Sequence, residues 1–173
     1  MLVFVGSNSS RSINEQLTKS VLKELNVTHT FVDLKTLDIP LFSEDLEREI
    51  KSPKGIVTLK EQIDAFEHIF ITTNEHNGNL SAFFKNTLDW LSRADKSFLQ
   101  GKKVFILSTS NGKRGGLSAN ESLQKMIERF GCEVYESYAF SSFSENFNKE
   151  TQQITNKDFL QEIDDKLNRI LKS

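Results

Sequence analysis

Short apolar runs alternate with longer amphipathic stretches along the whole chain. The runs Leu2 to Val5, Thr30 to Val32, His68 to Thr72, Val104 to Leu107 and Val134 to Phe140 favour β-branched and aromatic residues and are too short for helices, so they predict five strands. Between and after them apolar residues recur at helical spacing: Ile13, Leu17, Val21, Leu25; Ile56, Leu59, Ile63, Phe66; Ala119, Leu123, Met126, Ile127, Phe130; and Phe159, Leu160, Ile163, Leu167, Ile170. Leu80 to Trp90 predicts one further helix. Strands without clean polar alternation are the kind buried on both faces, and strict alternation with helices requires crossovers. The prediction is a three-layer α/β domain around a parallel sheet. Five strands in such a domain most often take the order 2-1-3-4-5, with ligand outside the carboxyl ends of strands 1 and 3. Chemistry is therefore sought in the loops after strand 1 (Gly6 to Asn14), strand 3 (Thr73 to Asn79) and strand 4 (Ser108 to Gly116). The acidic segment Leu37 to Lys54, which holds both prolines, reads as a candidate flap.

Length and composition narrow the class. A chain of 173 residues can bury roughly 70% of its unfolded surface, enough for one domain spanning 1–173. Its 22 basic and 24 acidic residues leave a net charge of -2, which argues against a nucleic-acid binder and a disordered acidic tail. Cys132 is the only cysteine, which excludes an internal disulfide and a cysteine-rich metal site and fits a buried, inert thiol in a reducing cytosol. No charged leader precedes Leu2 and no apolar run approaches ~18 residues, so the expectation is a cytoplasmic protein without membrane contact.

The strand 1 loop, Gly6-Ser7-Asn8-Ser9-Ser10-Arg11-Ser12-Ile13-Asn14, is dense in hydroxyls and carries one arginine where a helix begins. A helix N-terminus offers unpaired N–H groups and a positive dipole end, which hydroxyls complete into a cradle for a monophosphate. The competing reading is a capping box, with Ser12 and Glu15 doing no more than starting the helix. Neither a Walker pattern nor G-x-G-x-x-G occurs, which disfavours a nucleoside triphosphate or a Rossmann-bound dinucleotide. In the strand 3 loop, flat His76 and Gly78, which permits close backbone approach, suit a planar heteroaromatic ring such as a flavin. The same loop also reads as a polar connection ending in an Asn79 N-cap. On the helix that follows, Leu80, Phe84, Leu88, Leu91 and Phe83, Thr87, Trp90 form two adjoining stripes, wider than one sheet contact requires. One stripe is expected to meet a second subunit; the alternative is a helix sunk deeper into its own monomer. The strand 4 loop offers Lys113 and Arg114 to a second anion, unless it is a solvated turn.

Several pieces occur together in order: Gly6-Ser7 with Ser12 and Asn14, Leu37-Asp38-Ile39-Pro40-Leu41-Phe42, Glu75-x-Asn77-Gly78, Phe84-Lys85-Asn86-x-x-Asp89-Trp90-Leu91, Ser108-Thr109-Ser110-x-Gly112 and Gly115-Gly116. In these the chain resembles the NADPH-dependent FMN reductase family, flavodoxin-like proteins that include quinone, azo and chromate reductases. The resemblance implies a flavodoxin-like fold, FMN as cofactor, NADPH or NADH as hydride donor, a quinone-like small-molecule acceptor and a homodimer or tetramer. It implies FMN phosphate held by Ser7, Ser12 and Asn14, and Ser9, Arg11 and Ile13 of the same loop join them as candidates. Asn74, Glu75, His76, Asn77 and Gly78 would hold the isoalloxazine, Ser108, Ser110 and Gly112 would lie along its other side, and Lys113 and Arg114 would contact NADPH. The chain departs from the family at Ser9, where arginine is common and Arg11 stands two places on, and at Asn74-Glu75-His76-Asn77, where Pro-Glu-Tyr-Asn is usual. A flavin supplies the hydride chemistry, so no catalytic acid or base is required, and His76 is a candidate contact for the acceptor. Two rivals remain: a flavodoxin-like electron carrier, whose charged docking face a net charge of -2 does not suggest, and a flavin-free interaction module.

Overall fold

The computed structural model describes residues 1–172. Its elements in order are β1 (Leu2–Val5), α1 (Ile13–Glu24), β2 (Thr30–Val32), α2 (Glu44–Ile50), α3 (Lys54–Asp64), β3 (His68–Thr73), β4 (Glu75–His76), β5 (Asn79–Leu80), α4 (Ala82–Ala94), β6 (Lys103–Thr109), α5 (Leu117–Ile127), β7 (Glu133–Phe140), α6 (Phe143–Asn146), β8 (Phe147–Asn148), β9 (Gln153–Ile154) and α7 (Lys157–Leu171). Five strands form one parallel sheet in the order β2-β1-β3-β6-β7, which is 2-1-3-4-5 once the short hairpins β4-β5 and β8-β9 are set aside.

Period-two alternation sends successive side chains of each strand to opposite faces, and both faces are apolar. Leu2, Phe4, Ile69, Ile71, Val104 and Ile106 pack with Ile56 of α3, Leu88 of α4 and Leu123 of α5. Val3, Phe70, Phe105 and Leu107 pack with Leu17 and Val21 of α1 and Ile163 and Leu167 of α7. The sheet is thus the middle of three layers, as its runs predict.

Three readings need correction. Thr87 and Trp90 of the second α4 stripe are buried inside the monomer, as is the whole first stripe, which leaves half-buried Phe83 as the one member of either stripe with surface to offer a second subunit. The cover over Trp90 is the 37–42 segment: Pro40 O accepts hydrogen bonds from Trp90 Nε1 (2.8 Å) and Asn86 Nδ2 (2.9 Å), the Phe42 N–H donates to Asn86 Oδ1 (2.7 Å), and the Phe42 ring meets Trp90 edge-on at 5.1 Å. The segment Leu37 to Lys54 is for the same reason no free flap; it also contains α2, capped by Ser43 and tied to α4 through Glu47 and Arg93. Finally, α4 starts two residues later than expected. Ser81 is its N-cap, and Asn79 is spent in the hairpin.

Candidate functional site

At the carboxyl ends of β1, β3 and β6 a cavity of about 330 Å3 is lined by Ser7, Ser9, Arg11, Ser12, Ile13, Asn14, Asn74, Glu75, His76, Thr109, Ser110 and Asn111. It lies where the sheet order reverses, since β2 and β3 flank β1 on opposite sides. A larger groove, about 730 Å3, runs between α2, α3 and α4. It lies away from that edge, and Arg93 and Lys60 on its wall are paired with Glu47, Asp64 and Asp95.

The strand 1 loop gathers hydroxyl and main-chain donors at one end of the cavity. Three hydroxyls each accept a main-chain N–H: Ser7 Oγ from Ser9 (3.4 Å), Ser9 Oγ from Arg11 (3.2 Å) and Ser12 Oγ from Glu15 (3.2 Å). A hydroxyl that accepts in this way keeps its own proton to donate. Ser12 is therefore the N-cap of α1 and still a donor, so the capping and phosphate readings do not compete. The first turn of α1 leaves the N–H groups of Ile13 and Asn14 without an intrahelical acceptor. Glu15, the one acidic residue of that turn, is held by Lys19 and Lys35, each at 2.6 Å. Burial raises its pKa, but the two lysines outweigh it and hold the carboxyl below its usual range. Its charge is thus met locally, while Arg11 is exposed with no carboxylate within 4 Å among the described residues. Hydroxyl donors, helix N–H groups and an uncompensated arginine match a terminal phosphate, and the donor set fits FMN.

Asn14 stands at the cavity wall but is already engaged. Its Oδ1 accepts the Thr109 N–H (2.9 Å) and its Nδ2 donates to Thr109 O (3.2 Å), so both ends of the amide pin α1 to the end of β6. Thr109 Oγ1 in turn donates to Phe140 O (2.7 Å), which carries the brace to β7. Ser108 does not line the cavity; it is fully buried and its hydroxyl donates to Gly115 O (2.9 Å).

The strand 3 loop is a two-residue hairpin. Asn77 and Gly78 both have positive φ (52° and 75°), as a primed turn requires. Gly78 meets nothing within 4 Å of an added Cβ, so the turn rather than close approach explains its glycine. Asn77 and Gly78 lie off the cavity lining, as do Gly112, Lys113 and Arg114. Glu75 Oε2 accepts the Ala119 N–H (3.2 Å) and so caps α5, whose own N-cap, Gly116, has no side chain to offer. Asn74 Nδ2 donates to His76 Nε2 at 3.2 Å. Lys113 and Arg114 are exposed and without ion-pair partners among the described residues. Gly115 has φ 58°, and a Cβ there would fall 2.7 Å from Phe140 C and O. Thr109 and Asn111 complete the lining and were not among the predicted site residues; both sit in the strand 4 hydroxyl run, the one signal that could have found them.

A parallel sheet in this order with a phosphate-type cradle at its switch point defines a flavodoxin-like nucleotide-binding protein. The model of the NADPH-dependent FMN reductase family matches residues 1–146, and the chain belongs to that family. It is 30% identical over 128 residues to a quinone reductase of Escherichia coli K12, covering 73% of this chain and 68% of that one. To a 2-hydroxy-1,4-benzoquinone reductase of a Burkholderia species it is 34% identical over 125 residues, 70% of this chain and 66% of the other. Among solved structures, the flavoenzyme NAD(P)H:(acceptor) oxidoreductase FerB of Paracoccus denitrificans superposes with a TM-score of 0.79 at 25% identity, over 99% of this chain and 96% of that one. Family membership makes the chain an FMN-dependent, NAD(P)H-using oxidoreductase and sets aside the carrier and the flavin-free module.

Proposed function

We propose that residues 1–173 act as one flavin-binding domain that takes hydride from NAD(P)H and passes reducing equivalents to a quinone-like small molecule in the cytoplasm. The three hydroxyls that keep their protons at the start of α1 carry this reading. Ser7, Ser9 and Ser12 donate to the FMN phosphate, Arg11 adds charge, and the Ile13 and Asn14 N–H groups complete the cradle. FMN, when bound, supplies the hydride-accepting and hydride-donating centre. The protein's part is to fix the ring between the β4-β5 hairpin, with Asn74 and His76, and the strand 4 loop, with Ser110 and Asn111. Glu75 and Asn14, themselves part of the lining, brace those two walls through Ala119 and Thr109. Lys113 and Arg114, exposed beside the site, bind the phosphates of the nicotinamide nucleotide, and His76 meets the acceptor.

The quinone assignment is supported by the names of the Escherichia coli and Burkholderia relatives. A homodimer is part of the proposal, with the exposed apolar side chains outside the buried part of the α4 stripes as its surface. Leu41 is 80% exposed although its neighbours Pro40 and Phe42 are anchored to α4, and Val57 is 46% exposed on α3. An apolar side chain held out on a fixed support is suited to a partner's surface.

Ser12→Asp tests the cradle. Aspartate is a good N-cap and keeps the helix, but its carboxylate faces the phosphate. FMN affinity should fall at least about tenfold, the scale of losing one charge-assisted contact. Unchanged affinity with intact helicity would make the loop structural only.

A further inference from the structure

The β8-β9 hairpin folds back along α1. Its base is anchored in the core, where Phe147 and Ile154 are buried with Leu17 and Val21 of α1. The Ile154 N–H donates to Glu24 Oε1 (2.9 Å), which also accepts the Ser20 hydroxyl (2.7 Å). Glu24 ends α1, so the tip of the hairpin, residues 149–152, falls beside the first turns of that helix. There Gln152 Nε2 donates to Lys149 O within the turn (2.7 Å) and to Gln16 Oε1 across to α1 (3.5 Å). The turn is closed by Asn148 Oδ1, which accepts the N–H groups of Glu150 (2.9 Å) and Thr151 (3.1 Å). Gln152 itself has φ 55°, a left-handed conformation that favours glycine.

Between this tip and the strand 1 loop lies a second cavity of about 210 Å3, lined by Ser10, Ser12, Glu15, Gln16, Lys19 and Gln152. Ser12 also lines the cavity at the sheet's switch point, so the two adjoin at the end that holds the donors for a phosphate. A mononucleotide ends at its phosphate. A dinucleotide such as FAD continues into a second phosphate and an adenosine, and needs room beyond Ser12. Two properties of the second cavity deny it that room. Pockets that enclose a ligand of such size begin at roughly 300 Å3. A second phosphate also needs a free cation, whereas Lys19, the cation of this lining among the described residues, is held by Glu15 at 2.6 Å. Resting on the flavin reading of the main cavity, we infer that the tip of the β8-β9 hairpin is a specificity-determining element. Gln152, fixed on Gln16, closes the outer side of Ser12 and restricts the cofactor to a mononucleotide.

The test is the dissociation constants of FMN and FAD for wild type and two variants. In Gln152→Gly the side chain is removed at a position where glycine takes the backbone without strain. In the second, Lys149 to Gln152 are replaced by the dipeptide Asn-Gly, a turn that preserves the Phe147–Ile154 and Asn148–Gln153 pairing. Circular dichroism establishes that each is folded. Wild type should bind FAD at least about tenfold more weakly than FMN, the scale of one charge-assisted contact. The shortened hairpin should tighten FAD by about the same factor and leave FMN unchanged, because Gln152 does not line the main cavity. Gln152→Gly should move FAD in the same direction by less. Wild type that binds FAD as tightly as FMN would overturn the inference, and so would FAD affinity unchanged in both folded variants. Equal weakening of both cofactors by the shortened hairpin would overturn it too, making the hairpin a support of the phosphate loop instead of a wall beyond it. FMN affinity insensitive to Ser12→Asp would overturn the site reading itself, whatever the hairpin does.

Discussion

Replacing Asn14 by leucine separates two roles that one position can play. A phosphate contact matters only when flavin is bound, whereas a strut matters in the empty protein too. Asn14 makes two hydrogen bonds to the main chain of Thr109, at 2.9 and 3.2 Å, and is 4% exposed. Leucine fills nearly the same volume but satisfies neither, so the Thr109 N–H and C=O both lose their partner. Each orphaned main-chain group costs about 1–3 kcal/mol when cut off from water. The adjoining cavity lets water recover part of this, so the combined loss should be about 2–4 kcal/mol. For a chain of this size that is a fall in Tm of roughly 4–16 °C. Urea unfolding of the flavin-free protein, with the m-value checked for constancy, measures it directly. FMN affinity should fall as well, because α1 and the end of β6 are no longer held in register. Unchanged stability of the flavin-free variant together with weakened FMN binding would refute the strut and return Asn14 to a direct contact.

Two further outcomes are expected. Changing Lys113 and Arg114 together to alanine should raise KM for the nicotinamide nucleotide by roughly ten- to a hundred-fold and leave kcat nearly unchanged, because cations that bind remote phosphates contribute equally to ground and transition states; a lowered limiting rate of flavin reduction at unchanged half-saturation would instead place them in orienting the hydride donor. Leu41→Lys should leave the fold intact, since the side chain is 80% exposed, while sedimentation shows the dimer dissociating; a dimer that persists would remove Leu41 from the interface.

The architecture was legible because it rests on short-range pattern. Five short apolar runs separated by amphipathic helices allow few arrangements, and the observed β2-β1-β3-β6-β7 order, with the three fully buried runs at its centre, is the commonest of them. Much of the cavity wall was legible for the same reason, since the ends of β1 and β3 come together at the reversal whatever the details. What the sequence does not carry is how a polar side chain is shared between distant segments. Asn14 bonds a residue 95 positions away, Glu75 one 44 away, and Trp90 one 50 away. Nothing local reveals that Asn14 and Glu75, which line the cavity, also hold distant main chain, or that Trp90, read as a candidate interface residue, is covered by Pro40. The start of α4 went astray because Asn79 and Ser81 are both good caps two residues apart, and only the hairpin pairing of Glu75 with Leu80 selects the second. The β8-β9 hairpin escaped notice because two residues per strand are too few to show alternation.

The central claim is that the cavity at the head of α1 recognises the phosphate of FMN. The most direct measurement compares the dissociation constants of FMN and riboflavin for the wild-type protein, by quenching of flavin fluorescence at fixed ionic strength. The two ligands share the ring and ribityl chain and differ only in the phosphate that Ser7, Ser9, Arg11 and Ser12 would hold. The account predicts FMN tighter by about a hundred-fold or more, the sum of at least two charge-assisted contacts. Equal affinities would contradict it.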